Sequence, residues 1–189
     1  MPHEIDRILG AVANGIWLIE PGKAAEIVNF LALRAGGHSP GWDGEESEPS
    51  YAAAPVPARS GGHVHVLRLH GTITPRGGMM SRMSGGASME QFQRAFREAA
   101  GDTAARAIVL DVDSPGGMVD LVPETAAMIR GARRAERSII AVANTVAASA
   151  AYWLASQADE LVVTPSGVVG SIGVMTQREN LLKALEMKG

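Results

Sequence analysis

The chain has 189 residues, of which 46% are apolar and 20% are charged, and its formal net charge is −3. This balance is typical of a globular protein rather than a disordered one, and the small negative charge gives no electrostatic footprint for nucleic acid. Cysteine is absent from the sequence, which excludes disulfides, thiolate zinc sites and cysteine nucleophiles.

The N-terminal third predicts a helical segment followed by a linker. Apolar residues at helical intervals predict two short amphipathic helices within residues 1–35. Residues 36–62 are rich in Gly, Pro, Ser and Glu, which predicts a flexible linker. Residues 1–15 lack the cationic start of a secretory signal, and the chain has no apolar run long enough to cross a membrane. We therefore expect a cytoplasmic protein without a membrane partner.

From residue 63 onward, predicted strands and helices alternate. A strand begins there, a turn follows at 71–75 and a mobile loop at 76–87, and Ser88 has capping-box spacing for the next helix. The later predicted elements are strands at 107–110, 138–142, 161–163 and 168–174, and helices at 122–134, 149–156 and 177–188. This alternation predicts an α/β domain over residues 63–189, with parallel strands joined by right-handed crossovers.

Three motifs each follow a predicted strand. The paired glycines of Asp-Ser-Pro-Gly-Gly (residues 113–117) are typical of a turn, but they also let a backbone expose its amides to a ligand. Ser149 lies among alanines where a strand leads into a helix. It is either a helix-capping serine or a nucleophile with the Ala150 amide beside it. Residues 167–174 place three glycines around Ser171, and the residues alone assign them no chemistry.

A serine nucleophile needs a base. No histidine follows Ser149 in the sequence. His63, His65 and His70 alternate with apolar residues, which indicates ordinary strand side chains rather than a triad partner. A lysine whose pKa is lowered by desolvation is the other option.

Taken in this order, the motifs at residues 113–117, 147–153 (Ala-Ala-Ser-Ala-Ala-Tyr-Trp) and 170–174 (Gly-Ser-Ile-Gly-Val) resemble those of the signal peptide peptidase A family. The similarity runs over residues 63–189 and is strongest to the branch found in phage genomes as head maturation proteases. It implies the Clp protease/crotonase-like fold of repeated ββα and βα units, and peptide hydrolysis by a serine–lysine dyad.

The resemblance also implies roles for individual residues. Ser149 would be the nucleophile, Gly117 and Ala150 would supply oxyanion-hole amides, and Ser171 would orient the lysine ammonium. The dyad lysine is expected beyond residue 189, because Lys183 and Lys188 have the pattern of solvated-face lysines on a helix. We therefore expect a C-terminally truncated domain with weak or absent peptidase activity of its own.

The implied partners are a polypeptide substrate and further copies of the chain. Capsid or scaffold protein is the expected substrate, with signal peptides as the other option, in the host cytoplasm or the virion. No metal, organic cofactor or nucleic acid is expected. Two alternatives stay open: a noncatalytic capsid-assembly protein that keeps the fold, and a crotonase-like acyl-CoA enzyme that would use Asp113 and Asp120 as its carboxylates.

Overall fold

The computed structural model describes residues 16–19, 22, 55–58, 61–77 and 86–176. The elements in chain order are β1 (Ile16–Ile19), β2 (Val56–Pro57), β3 (His63–His70), β4 (Ile73–Thr74), β5 (Ala87–Ser88), α1 (Met89–Gly101), β6 (Ala105–Ser114), β7 (Gly116–Met118), α2 (Val122–Gly131), β8 (Ser138–Ala148), α3 (Ala150–Ala155), β9 (Glu160–Val163), β10 (Val168–Gly170) and β11 (Met175–Thr176). None of the helices among these residues is long and apolar enough to cross a membrane. The alternation of strands and helices confirms the predicted α/β class.

The larger sheet carries the parallel strands. Its order within the described residues is β10–β8–β6–β3–β2, with β9 also paired to β8. Strands β3, β6, β8, β9 and β10 run parallel, and β2 is antiparallel to β3. Because parallel strands share one direction, the residues that follow β6, β8 and β10 meet at the carboxyl edge of the sheet. The residues that precede β3 and β6 lie at the opposite edge.

The smaller sheet joins the larger one at that carboxyl edge. Its order is β11–β1–β7–β4–β5, and β1 is antiparallel to both β7 and β11. Strand β7 begins only two residues after β6 ends, so the chain passes directly from one sheet into the other. The side chains of Leu18 and Ile19 in β1 are buried. Their burial accounts for the attachment of this short strand to β7, since burying each such side chain is worth about 2 kcal/mol.

The core lies between the larger sheet and the helices. Phe92 and Phe96 of α1 are fully buried, with their rings stacked at a centroid distance of 6.4 Å. The buried positions of β8 are mostly alanines, including Ala141, Ala143 and Ala147. Such small side chains let α3 pack closely against β8, and this close packing determines the geometry of the residues that join the two elements.

Ser88 caps α1, as its sequence spacing predicts. The fully buried Ser88 hydroxyl accepts a hydrogen bond from the backbone N of Gln91 at 3.4 Å. We expect Ser88→Ala to lower the free energy of unfolding by about 1 kcal/mol, because an amide of the first turn loses its acceptor. Urea denaturation would measure the change. The exposed Ser138 supplies a control, since Ser138→Ala should stay within about 0.5 kcal/mol of wild type, and equal losses in the two variants would contradict the capping role.

Three predictions about the N-terminal half need correction. The helix predicted across residues 16–19 is wrong, because these residues form β1 and pair with β7 and β11. The predicted linker at 36–62 contains β2, which pairs with the start of β3. The predicted turn at 71–75 contains β4, which pairs with β5 and β7. All three strands are short. Strands β1 and β4 gain their stability from partners that are distant in the chain, whereas β2 pairs with the nearby start of β3. Apart from Gly22, which is helical, the remainder of the predicted N-terminal helical segment lies outside the described residues, as does the predicted helix at 177–188.

Candidate active site

Ser149 lies at a sharp turn from strand to helix. It follows the last residue of β8 and precedes the first residue of α3. Its backbone has φ 54° and ψ −115°, a conformation that costs an L residue about 1–3 kcal/mol. The flanking Ala148 and Ala150 are buried, and Ser149 itself is 5% exposed. A strained serine at a turn of this kind is the arrangement known as a nucleophile elbow, in which the hydroxyl projects from the end of the sheet.

Strand β7 packs directly against this turn. Gly116 has φ +96°, and a Cβ added there would lie 3.0 Å from the Ala148 carbonyl oxygen and 3.1 Å from the Ala150 nitrogen. At Gly117, an added Cβ would lie 2.0 Å from the Ile73 carbonyl oxygen. Both positions therefore require glycine because neighbouring backbone occupies the space of a side chain. The predicted glycine pair thus brings the backbone of β7 to the serine turn.

The third motif approaches the turn from the other side. Gly170 is in register with Ala148, and the Ser149 backbone N donates to the Gly170 carbonyl oxygen at 2.8 Å. The Ser149 hydroxyl donates to the Gly173 carbonyl oxygen at 3.3 Å. Ser171 has φ 52° and is exposed. The three motifs therefore meet at the carboxyl edge of the sheet, as expected for residues that follow neighbouring parallel strands.

Ser114 and Asp113 of the first motif stabilise this arrangement, a structural role that the sequence did not predict for either residue. The buried Ser114 hydroxyl donates to the Gly71 carbonyl oxygen at 2.6 Å and accepts from the Gly116 backbone N at 3.2 Å. An oxygen of the Asp113 carboxylate accepts from the Val146 backbone N at 3.2 Å. These bonds connect the end of β6 to β8 and to the loop after β3, so they fix the position from which β7 starts.

A cleft of about 240 Å³ opens beside the serine. Its lining residues, mostly apolar, are Leu18, Ser149, Tyr152, Trp153, Ser156, Ile172 and Gly173. The Trp153 backbone N donates to the Ser149 carbonyl oxygen at 2.9 Å, so the two aromatic residues occupy the first turn of the helix that Ser149 begins. No role for these two residues was predicted from the sequence, although side chains three and four residues after a helix-starting serine lie on its side of the helix. An apolar cleft beside a strained hydroxyl is suited to holding a side chain next to a bond under attack.

The described histidines, His63, His65 and His70, do not bond to Ser149. His63 and His65 lie at the start of β3, at the opposite edge of the sheet. His70 Nε2 lies 3.1 Å from an Asp111 carboxylate oxygen, and the hydrogen bond of the Ser149 hydroxyl goes to a backbone carbonyl. This arrangement agrees with the interpretation of these histidines as strand side chains rather than triad partners. All three lysines of the sequence (Lys23, Lys183 and Lys188) lie outside the described residues.

Asp113 and Asp120, the carboxylates considered for acyl-CoA chemistry, do not line the cleft beside Ser149. Asp113 is engaged by the Val146 backbone N, and Asp120 lies exposed on the turn before α2. Among the described residues that line the cleft there is no carboxylate. In the described part of the chain, neither Asp113 nor Asp120 is therefore placed in the cleft as an acid or base for the crotonase-like alternative.

Comparison with known proteins identifies a family for this site. The family model of Peptidase family S49 matches residues 131–189, which include Ser149 and Ser171. One relative, the head-tail preconnector protein GP5 of Enterobacteria phage P21, is 32% identical over 190 residues, which cover 93% of this chain and 38% of that protein. The capsid assembly protease C of Escherichia phage lambda is 35% identical over 126 residues, covering 67% of this chain and 28% of that protein. Protease 4 of Salmonella typhi is 33% identical over 119 residues, covering 63% of this chain and 19% of that protein.

These matches confirm the predicted resemblance to signal peptide peptidase A and its phage branch. They also confirm the Clp protease/crotonase-like fold class. The chain spans well under half the length of each of these relatives.

Proposed function

We propose that this chain, whose residues 131–189 match the model of Peptidase family S49, is a serine endopeptidase domain with Ser149 as its nucleophile. The observation that carries the proposal is the strained backbone of Ser149 at the junction of β8 and α3, beside an apolar cleft. A helix-capping serine has no need of this conformation, and Ser149 makes no side-chain capping bond to α3. The strain is accounted for if the hydroxyl must face a substrate.

Peptide hydrolysis at this site would proceed in two acyl transfers. The Ser149 oxygen attacks the scissile carbonyl carbon and gives its proton to a base. The tetrahedral intermediate then expels the amine, which takes this proton from the base, and leaves an ester on Ser149. Water attacks this ester, releases the acid product and restores the hydroxyl. In the resting arrangement the hydroxyl donates to the Gly173 carbonyl oxygen, so that bond must be exchanged for one to the base before attack.

Two backbone amides are proposed to stabilise the oxyanion. Ala150 is the first residue of α3, where amides have no partner within the helix. Gly117 lies one residue beyond Gly116, where an added Cβ would lie 3.1 Å from the Ala150 nitrogen. An amide from each side of the serine would enclose the oxyanion, and removing one such donor typically costs about 10²–10³ in turnover.

The general base is proposed to be a lysine, as the resemblance implies. Ser171 directly follows Gly170, whose carbonyl oxygen accepts a hydrogen bond from the Ser149 backbone N. This position beside Ser149 suits a role in orienting the lysine ammonium. A neutral lysine at the apolar cleft would have its pKa lowered by desolvation, which is the condition under which it accepts a proton. The candidates in this chain are Lys183 and Lys188, and the resemblance places the dyad lysine beyond residue 189.

The proposed substrate is a polypeptide of a phage capsid or its scaffold. This rests on relatives named as a head-tail preconnector protein and a capsid assembly protease, and it would place the protein in the host cytoplasm or the virion.

We also propose that the chain self-associates. Several large apolar side chains near the edge strand β10 are exposed: Val162, Val163, Val168, Val169, Ile172 and Val174. An apolar patch of this kind is typical of an interface.

Labelling with a fluorophosphonate probe, with the adduct located by mass spectrometry, tests the nucleophile and the base together. The samples are the 189-residue chain, a version extended past residue 189, and each with Lys183→Met or Lys188→Met. We expect a Ser149 adduct in the extended version, weak or no adduct in the shorter one, and no effect of the two lysine changes. Ser156→Ala is the matched control, since this second cleft serine donates to a backbone carbonyl and should not affect labelling.

The other possible labelling results either assign the base to another lysine or contradict the peptidase proposal. Loss of an adduct in one lysine variant would assign the base to that lysine and contradict its expected position beyond residue 189. The absence of an adduct in every folded sample would overturn the peptidase proposal. It would favour the noncatalytic capsid-assembly alternative.

A further inference from the structure

A cluster of two histidines and one aspartate lies at the edge of the sheet opposite Ser149. His63 Nε2 and His65 Nε2 lie 2.6 Å and 2.9 Å from the same carboxylate oxygen, Oδ2 of Asp102. The two ring nitrogens are 3.3 Å apart. Three atoms that commonly bind metals therefore converge on one point, although 37 residues or more separate Asp102 from either histidine in the chain.

The backbone elements impose this convergence. His63 and His65 are two residues apart in β3, so their side chains leave the same face of the strand. Asp102 is the C-cap residue directly after α1, and the Ala104 backbone N donates to its other carboxylate oxygen, Oδ1, at 2.8 Å. That bond orients the carboxylate so that Oδ2 faces the histidines, as outer groups do around metal ligands. Hydrogen bonds from the His65 side chain and the Ala104 backbone hold the pKa of Asp102 well below its usual range.

We propose that His63, His65 and Asp102 bind one divalent transition-metal ion of the Zn²⁺ type. Zn²⁺ lies about 2.0–2.1 Å from histidine nitrogens, so tetrahedral ligands stand about 3.3 Å apart. The two histidine nitrogens already have this separation. The carboxylate oxygen, now 2.6 Å and 2.9 Å from them, needs to move outward by about 0.7 Å. Two imidazoles and one carboxylate suit Zn²⁺, Ni²⁺ or Co²⁺ rather than Mg²⁺ or Ca²⁺, which require oxygen ligands.

The cluster is open enough to admit an ion and a completing water. The side chains of His63, His65 and Asp102 are 25%, 15% and 29% exposed. Nearby, the Arg137 guanidinium donates to the backbone carbonyls of Ala100 and Ala132 rather than to the carboxylate. A bound ion would connect the start of β3 to the end of α1. Since β3 separates the cluster from the carboxyl edge by its eight residues, or about 26 Å, the inference is independent of the peptidase proposal.

Titration of the untagged 189-residue chain with ZnCl₂ in a calorimeter tests the site. We expect one ion per chain, and binding at least about tenfold weaker in His65→Asn and in Asp102→Asn. His70→Asn is the matched control, because His70 also faces an aspartate from β3 but belongs to no group of three ligands among the described residues. His3→Asn with His38→Asn controls for the remaining histidines and should leave the binding unchanged.

A second measurement does not depend on the variants folding. In a wild-type sample, Zn²⁺ should shift the NMR signals of the Nε2 atoms of His63 and His65 and leave those of His70 in place. The same chain loaded with Co²⁺ should show the visible absorption of a tetrahedral site. The inference is overturned if the wild-type chain binds no ion, if His65→Asn and Asp102→Asn bind as tightly as His70→Asn, or if the shifted signals belong to other histidines. The three side chains would then form only a hydrogen-bonded group.

Discussion

Gly116→Ala should lower the free energy of unfolding by about 3 kcal/mol or more and should abolish labelling of Ser149. The new Cβ would lie 2.2 Å from the Leu18 carbonyl oxygen, and within about 3 Å of backbone atoms on both sides of Ser149. None of these backbone atoms moves without displacing β1 or the serine turn. The residue would also keep φ +96°, which a side chain disfavours. Urea denaturation and fluorophosphonate labelling of the extended version would measure the two effects.

Gly101→Ala provides the control for this substitution. Gly101 ends α1, and an alanine Cβ there would meet no atom within 4 Å. Its unfolding free energy should stay within about 1 kcal/mol of wild type, with any change favouring the folded state, because alanine is the better helix former. Labelling should be unaffected. A Gly116→Ala protein that is as stable and as reactive as Gly101→Ala would show that β7 does not support the serine turn.

The carboxyl edge of the sheet was predictable from the sequence because parallel strands align their ends. Once residues 107–110, 138–142 and 161–163 are taken as neighbouring parallel strands, the motifs that follow them are expected at the same edge of the sheet. The register observed between Ser114 and Ala147, and between Ala148 and Gly170, is this convergence. The strands predicted at 107–110 and 138–142 are shorter than β6 and β8, which end at Ser114 and Ala148. Polar residues such as Asp111 interrupt the apolar pattern, yet their side chains bond to neighbouring strands.

The remaining features depend on contacts that no local pattern encodes. Residues 16–19 have apolar spacing compatible with a helix, and only pairing with β7 and β11 makes them a strand. The cleft combines Leu18 of β1 with Trp153 of α3 and Ile172 after β10, so its shape follows from the fold rather than from one motif. Asp102 likewise contacts His63 and His65 only because the fold brings the end of α1 to the start of β3. Contacts between residues this far apart in the chain are set by the fold and leave no local pattern in the sequence.

The strain at Ser149 predicts that two substitutions with the same effect on activity have different effects on stability. Ser149→Ala and Ser149→Gly should both abolish the fluorophosphonate adduct and peptide hydrolysis, since each removes the attacking oxygen. The glycine variant should nevertheless be more stable than the alanine variant by about 1 kcal/mol. Glycine adopts φ 54° and ψ −115° without a Cβ, whereas alanine retains the Cβ that makes this conformation costly. Urea denaturation of the two variants, which differ by one methyl group, measures the strain directly.

The same pair of substitutions at Ser138 should give the opposite order. Ser138 begins β8 and is absent from the residues with positive φ in the described part of the chain. There Ser138→Gly should be less stable than Ser138→Ala by about 0.5–1 kcal/mol, because glycine loses more backbone freedom on folding. If glycine were the less stable substitution at both serines, the turn at Ser149 would hold no strain. If glycine is favoured at Ser149 alone, the fold maintains an unfavourable backbone at the one residue whose hydroxyl must reach the substrate.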